Sequence, residues 1–566
     1  MSIFYREAKW FLVFFAILFN TNANATDWQV IIDSINTFAS PRFADLNNDG
    51  IKDIIIGGGR ENGNPNKILA LNGNNGQVIW QTGTKNENYT SAKFIDINHD
   101  NTDDIIIGGR LANLVALNGK TGAIIWQFYN DTIHPLLKGW YNFYEPQIIK
   151  DVNSDGVKDI LICNGGNPTY SASDTIRPPA GYIMILNSVT GSIISFDSMP
   201  DKKETYMPPI VYDLNSDGDE EIIVGTGGET IRGSLWLTHL SDLLQNNISN
   251  SIILHTDSVK GFIQPPVLAD INTDHILDII APVFNGGLVA INGNDFHKIW
   301  SIYLPGYEIY SAPSVGNFND DSIPDFYLTL SKGVYPSYNS FLEIIVDGLT
   351  GNIKRIDSVG YLFQLSSAII YDKNEDGIDE IAQSFNYLSD DGNIKNYLKE
   401  YDVKNEITNT IIDTLFGINF SSTPLLSDLN NDGLAEMIYS YNINGFSSTN
   451  IICKTTNINS ENISWSSYLG NNKNGIYDRT KYLLNIQNHI NNYSNCTIAY
   501  PSPFTNYLNI VTENHTEISL YNTKSVKLVD FSLNNINNPI NLSYLANNMY
   551  ILIDNRNKCI QKIVKQ

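Results

Sequence analysis

Asp45-Leu46-Asn47-Asn48-Asp49-Gly50-Ile51-Lys52-Asp53, followed by Ile54-Ile55-Ile56-Gly57, is the stretch on which the fold turns. Oxygen-bearing side chains stand at positions 1, 3, 5 and 9, and position 6 is a glycine. An apolar β-branched run follows. A hard divalent cation such as calcium wants six to eight oxygens at about 2.3–2.6 Å, and this spacing brings several of them into one tight turn. Position 7 can add a backbone carbonyl, and the position 9 carboxylate closes the shell as the next strand begins.

The pattern returns seven times. Its first residues are Asp45, Asp96, Asp151, Asp213, Asp270, Asn317, Asp372 and Asp428, at intervals of 47 to 62 residues. Position 3 is Asn throughout: Asn47, Asn98, Asn153, Asn215, Asn272, Asn319, Asn374 and Asn430. Position 5 is Asp throughout: Asp49, Asp100, Asp155, Asp217, Asp274, Asp321, Asp376 and Asp432. Position 9 is always acidic: Asp53, Asp104, Asp159, Glu221, Asp278, Asp325, Glu380 and Glu436. These residues are the expected ligands of up to eight calcium ions. The sixth position is Asn101 in loop two, His275 in loop five and Ser322 in loop six. The last two suit a left-handed turn less well than glycine, and loop six also lacks the first carboxylate, so loops five and six are expected to bind more weakly.

A fixed period of about 50 residues is the mark of a repeat architecture. Each loop lies between a short run such as Ser40 to Ala44 and a β-branched run such as Ile54-Ile55-Ile56. A third run follows, as at Lys67 to Leu71, then an Asn-Gly or Thr-Gly turn. A fourth run often ends in Trp, at Trp80, Trp126, Trp300 and Trp465. Four short antiparallel strands per period predict β-propeller blades. Eight loops predict eight blades, with seven blades plus a degenerate unit as the alternative. Trp28-Gln29 echoes Trp80-Gln81 and Trp126-Gln127, so the first strand is expected to close the ring by joining the last blade. An EF-hand requires a bidentate Glu at position 12 between helices. Position 12 here is Ile56, Ile107, Ile162, Val224, Ala281, Leu328, Gln383 or Tyr439, and that reading is rejected.

On these motifs the repeats, over roughly residues 26–470, resemble the FG-GAP/VCBS family of calcium-loop propellers. The third and fourth strands also resemble quinoprotein propeller repeats. The ions are expected to staple hairpins and to take no part in recognition.

The 566-residue chain carries a net charge of −24, which argues against a nucleic-acid surface. Seven loops hold three carboxylates each and loop six holds two, so the loops account for 23 of the 60 acidic residues. Without cations that crowding must weaken the fold. Residues 1–25 read as a secretory signal: Arg6 and Lys9, an apolar run from Trp10 to Phe19, and Ala23-Asn24-Ala25 as a cleavage site. No other segment is apolar enough to span a bilayer. Cys163, Cys453, Cys496 and Cys559 show no C-x-x-C spacing, and Cys496 with Cys559 flanks the last segment, a placement open to pairing. The histidines show no metal-ligand spacing.

After Gly470 the repeat stops. Residues 471–495 are Asn-rich and read as a linker. From Cys496 the strands change character: Tyr500-Pro501-Ser502-Pro503-Phe504, Leu508 to Val511, Ile518 to Tyr521, Met549 to Ile553 and a basic end. Residues 496–566 resemble the C-terminal sorting domain of the type IX secretion system, a small β-sandwich. The resemblance implies that the secretion machinery is a partner and that the protein is released or held at the outer-membrane surface.

Seven or eight residues before each loop stands an aromatic: Phe38, Tyr89, Tyr144, Tyr206, Phe262, Tyr310 and Phe420, with Phe363 nine before loop seven. These precede the innermost strands and should ring the axis on the face opposite the loops. Of these, Phe38, Tyr89, Tyr144, Tyr206, Phe262 and Tyr310, with Trp140 in an aromatic-rich insertion, are the candidate ligand-binding residues. The leading reading is a secreted or surface-displayed binding and adhesion module for a glycan or a protein, not an enzyme. The alternatives are a polysaccharide lyase-like or quinoprotein-like propeller enzyme.

Overall fold

The computed structural model of the chain describes residues 27–477, apart from 61–62, 64, 129–141, 167–179, 320, 322, 360–364 and 444–446, together with most of 498–565. The expected signal, Trp140, Phe363, Cys496 and Cys559 lie outside the described residues. The chain forms two compact units, Met1–Tyr477 and Asp478–Gln566. No helix among the described residues is long and apolar enough to cross a membrane.

The first unit is an eight-bladed β-propeller. Blade one is built from Arg42–Ala44, Asp53–Gly58, Lys67–Leu71 and Val78–Gly83, paired in that order, all antiparallel. The same four-strand meander recurs around the ring. The β-branched runs form second strands such as Asp53–Gly58 and Glu221–Gly225, buried along their whole length because a neighbouring blade covers each face. Outer strands such as Val78–Gly83 are exposed or half-buried along most of their length, with Trp80 buried. Blade six carries an extra inner strand, Tyr307–Ile309, and a long hairpin from Asp325–Val334 to Ser337–Val346.

The ring closes as expected. Trp28–Asp33 pairs with Ser448–Asn459 and becomes the outermost strand of blade eight. The indole of Trp28 then reaches blade one and donates to the carbonyl of Gly73 at 2.8 Å. The fourth-strand tryptophans repeat this contact: Trp80 donates to Gly119, Trp126 to Ser188 and Trp300 to Gly348. Each ring lies on the turn glycine of the following blade, and a Cβ at Gly122 would stand 2.6 Å from Trp80. The Thr-Gly turns and the terminal tryptophans are therefore one device that fixes blade to blade.

Trp465 is an exception to that reading. It is not on a fourth strand. Ile463–Trp465 pairs with Ile369–Tyr371, the innermost strand of blade seven. From there the chain runs across the axis. Leu426 of blade eight donates to Ser466, Arg42 of blade one to Ser467 and Tyr468, and Leu268 of blade five to Gly475. Residues 471–477, expected as the start of a linker, thus belong to the propeller unit.

The second unit has two sheets. One holds Ile498–Tyr500, Tyr507–Val511 and Asn538–Asn541. The other holds Lys527–Leu533, Thr516–Asn522, Asn548–Asp554 and Ile560–Lys565. Ile518, Leu520, Leu542 and Tyr550 are buried together in its core.

Candidate functional site

Two sets of residues sit at opposite ends of the inner strands. The acidic loops join the first strand of each blade to the second. In loop one, Asp45 accepts hydrogen bonds from the backbone N–H groups of Asp49 and Gly50 at 3.2 and 3.0 Å, Asn47 accepts from Asp49 at 2.9 Å, and Asp49 accepts from Ile51 at 2.8 Å. Loop two repeats the set with Asp96, Asn98 and Asp100, and loop eight with Asp428, Asn430 and Asp432. These local bonds curl the loop around its own oxygens. The curl needs a left-handed residue not only at position 6 but also at position 4: Asn48, His99, Ser154, Ser216, Thr273, Glu375 and Asn431 all have φ between 57° and 63°. Asn48, His99 and Asn431 are types that tolerate that conformation, whereas Thr273 adopts it against its β-branched side chain.

The position 9 carboxylates are the buried part of the set. All eight are at most 3 % exposed. Each accepts one backbone N–H from position 2 of its loop, as Asp53 does from Leu46 at 3.2 Å and Glu436 from Leu429 at 2.8 Å. Burial pushes all eight up, Asp53, Asp325, Glu380 and Glu436 to about 7 and Asp278 to about 6, and the carboxylates at positions 1 and 5 of loop one add to the effect at Asp53. Among the described residues no three carboxylate, imidazole or thiol groups meet closely enough to chelate an ion unaided. An ion here would take its remaining donors from asparagine and backbone oxygens. An all-oxygen set around a buried carboxylate fits a hard cation, though in loop seven Lys404 stands 3.1 Å from Asp376 and in loop four His239 stands 3.6 Å from Glu221.

Loop six departs from the pattern. Asn317 turns towards blade seven, where its amide donates to the carbonyl of Gly377 at 2.5 Å and its backbone N–H to Asp379 at 2.7 Å. Asp347, from the turn between the third and fourth strands, accepts from Asn319 at 3.3 Å and brings a carboxylate to the loop that Asn317 does not supply.

At the other end of the inner strands, Phe38, Tyr89, Tyr144, Tyr206, Tyr310 and Phe420 line one axial cup of about 430 Å³. Tyr144 meets Tyr89 edge-on at 5.7 Å and Tyr206 at 6.1 Å, and Phe38 meets Phe420 at 5.4 Å. Phe262 does not join them. It is fully buried between blades, against Met207 and beneath Gly225, where a Cβ would come within 2.3 Å of it, and Ile263 and Gln264 take its place in the lining.

Several lining residues escape the spacing rule, among them Tyr468, Arg110 and Glu229. Tyr468 comes from the segment that crosses the axis. Arg110 and Glu229 follow second strands, and the Arg110 guanidinium lies 5.0 Å from the Tyr89 ring centre and 3.2 Å from Glu87. The Gly108-Gly109-Arg110 and Gly227-Gly228-Glu229 triplets are the signal that could have marked them.

Residues 45–107 match the FG-GAP-like repeat family, and residues 498–566 match the secretion system C-terminal sorting domain. No curated protein shows significant sequence similarity to the chain. Solved structures similar to it include BamB from Moraxella catarrhalis, at 11% identity over 74% of this chain and 85% of that one with a TM-score of 0.36. Quinohemoprotein alcohol dehydrogenase from Comamonas testosteroni is 12% identical over 76% of each chain, with a TM-score of 0.46. A europium-containing methanol dehydrogenase is 10% identical over 75% of this chain and 92% of that one, also at 0.46. Similarity at this level says nothing about chemistry. The sorting domain makes this a protein exported to the cell surface or beyond it. The chain is an eight-bladed β-propeller protein with FG-GAP-like repeat sequence, ending in a secretion-system sorting domain.

Proposed function

We propose that the chain is a calcium-stapled binding module that presents the axial aromatic cup to a glycan. The observation that carries this is the convergence of six aromatic side chains from separate blade crossings on one cavity. Aromatic faces stack on the apolar faces of sugar rings, while Arg110, Glu229 and the phenol hydroxyls offer polar contacts at the rim. A volume of about 430 Å³ lies within the range of small-ligand sites and suits one or two sugar rings. Calcium, on this reading, occupies the loops at the far end of the blades and holds hairpins without touching the ligand.

The enzyme alternative asks for a base beside the substrate. The cup's tyrosines suit that role poorly. Burial pushes the phenols of Tyr89, Tyr144 and Tyr206 up, so they stay protonated and act as hydrogen-bond donors. A glycan array probed with the full chain, alongside viscosity and dye-reduction assays, tests the proposal. Saturable binding without turnover supports it; shortening of a polymer or reduction of a dye overturns it.

A further inference from the structure

The segment that crosses the axis separates the aromatic cup from a second cavity, which lies at the loop end of the inner strands. Its volume is about 520 Å³, and its walls include Phe43, Lys52, Lys93, Phe94 and Lys473. The charge here runs against the rest of the molecule. Arg42, fully buried behind it, pairs with Glu145 at 2.8 Å, and Lys93 reaches the same carboxylate at 3.3 Å. One carboxylate therefore serves two cations. Two more are added: the ammonium groups of Lys473 and Lys52 stand 4.2 and 4.9 Å from the centre of the Phe43 ring. Lys473 makes no ion pair among the described residues. Asp45 and Asp103 also reach the cavity wall; Asp45 is committed to its loop, and Asp103 attracts Lys473 without pairing with it.

A protein with a net charge of −24 has gathered Arg42, Lys52, Lys93 and Lys473 here, two of them on Glu145, with Asp103 the carboxylate that acts on Lys473. Burial, with repulsion from Arg42, Lys93 and Lys52, pushes the Lys473 ammonium down to about 7. Burial likewise brings Lys93 down to about 8 despite the attraction of Glu145. Like charges held together in a half-dry cavity are costly unless an anion joins them. The cavity is large for an inorganic ion, and Phe43 and Phe94 give it apolar walls.

We propose that this cavity is an anion-binding site for a sugar-sized organic acid, its sulfate or carboxylate group held by Lys473, Lys52 and Lys93 and its ring against Phe43 and Phe94. The site lies away from the aromatic cup and does not depend on what the cup binds. The Lys52 ammonium is held by the carbonyl of Asp428 at 2.7 Å. Lys93 is anchored by Glu145 and by the carbonyl of Lys473, and it supplies fixed charge.

The test is calorimetric titration of the full chain, in calcium-containing buffer, with a sulfated uronic-acid disaccharide. One saturable site per chain is expected. Lys473→Gln and Lys52→Gln should each weaken it about tenfold, the worth of one charge-assisted hydrogen bond. Lys298→Gln, on the exposed outer strand of blade five, should leave it unchanged. Absence of binding, wild-type affinity in both cavity variants, or equal loss in Lys298→Gln overturns the proposal. Melting curves of the variants check that each is folded. If Lys473→Gln does not fold, Lys52→Gln alone decides.

Discussion

The indole of Trp28 donates to the carbonyl of Gly73 at 2.8 Å, and its ring covers Gly76, where an added Cβ would stand 2.5 Å away. This contact joins the first described strand to blade one after that strand has completed blade eight. The ring is sealed by the same tryptophan-on-glycine device that joins blades one, two and five to their successors. Trp28→Ala should therefore destabilise the propeller by about 3 kcal/mol, the low end for removal of a large aromatic because the ring is only half-buried. Gly76→Ala should act on the same contact, since its φ of 70° and the clash both disfavour a side chain. The melting temperature of the full chain is the measurement. The two changes should not add, because they break one contact.

Removal of divalent cations should lower the melting temperature, and the size of the loss should depend on pH. In the ion-free protein the native pKa of Asp53, Asp325, Glu380 and Glu436 is raised to about 7, above the value in the unfolded chain. The native state then holds more protons, so ion-free stability falls as pH rises from about 4 to about 7 and levels off above that. Bound calcium keeps these carboxylates ionised and removes the decline. Melting curves at pH 5, 6, 7 and 8, in chelator and in calcium, give the comparison.

Phe262 and Tyr206 hold matching places before their inner strands, yet the two should fail in different ways. Phe262 is a wedge within the core, so Phe262→Ala should cost about 3–5 kcal/mol and lower the melting temperature sharply. Tyr206 lines the cup and is only partly exposed, so Tyr206→Ala should cost about 1–2 kcal/mol, less than Phe262→Ala, and reduce ligand binding as well.

Asn317 stands where seven other loops have an aspartate, but it is spent on the seam with blade seven. Asn317→Ala should leave the number of calcium ions per chain unchanged, as read by elemental analysis. It should lower stability by about 1 kcal/mol through the lost bond to Gly377.

The blade count, the loop register and the closing strand could be read directly from the chain, because each rests on residues at fixed spacing. Asp at position 5 and an acid at position 9 recur eight times, and Trp28-Gln29 repeats a motif seen within the blades. The aromatic ring could be read in part. Spacing placed Tyr89, Tyr144 and Tyr206, but it could not separate them from Phe262. Whether an aromatic turns to the axis or between blades depends on the partner it meets, and for Phe262 that partner is Gly225 in another strand. Trp465 misled for a related reason. Its sequence matches a fourth-strand end, but the Trp28 strand already fills that place in blade eight, so the chain continues across the axis. The basic cavity was invisible because Arg42, Lys93 and Lys473 come from positions as far apart as 431 residues, with no shared motif. The sorting domain was legible from Tyr500 to the basic end.

The most direct test of the account is glycan-array binding by the full chain and by the Tyr144→Ala/Tyr206→Ala double variant, both at saturating calcium. The account predicts a defined set of bound glycans for the wild type, lost in the double variant while that variant still melts in a cooperative transition. An unchanged binding profile in the double variant, or no glycan bound by the wild type, would contradict it.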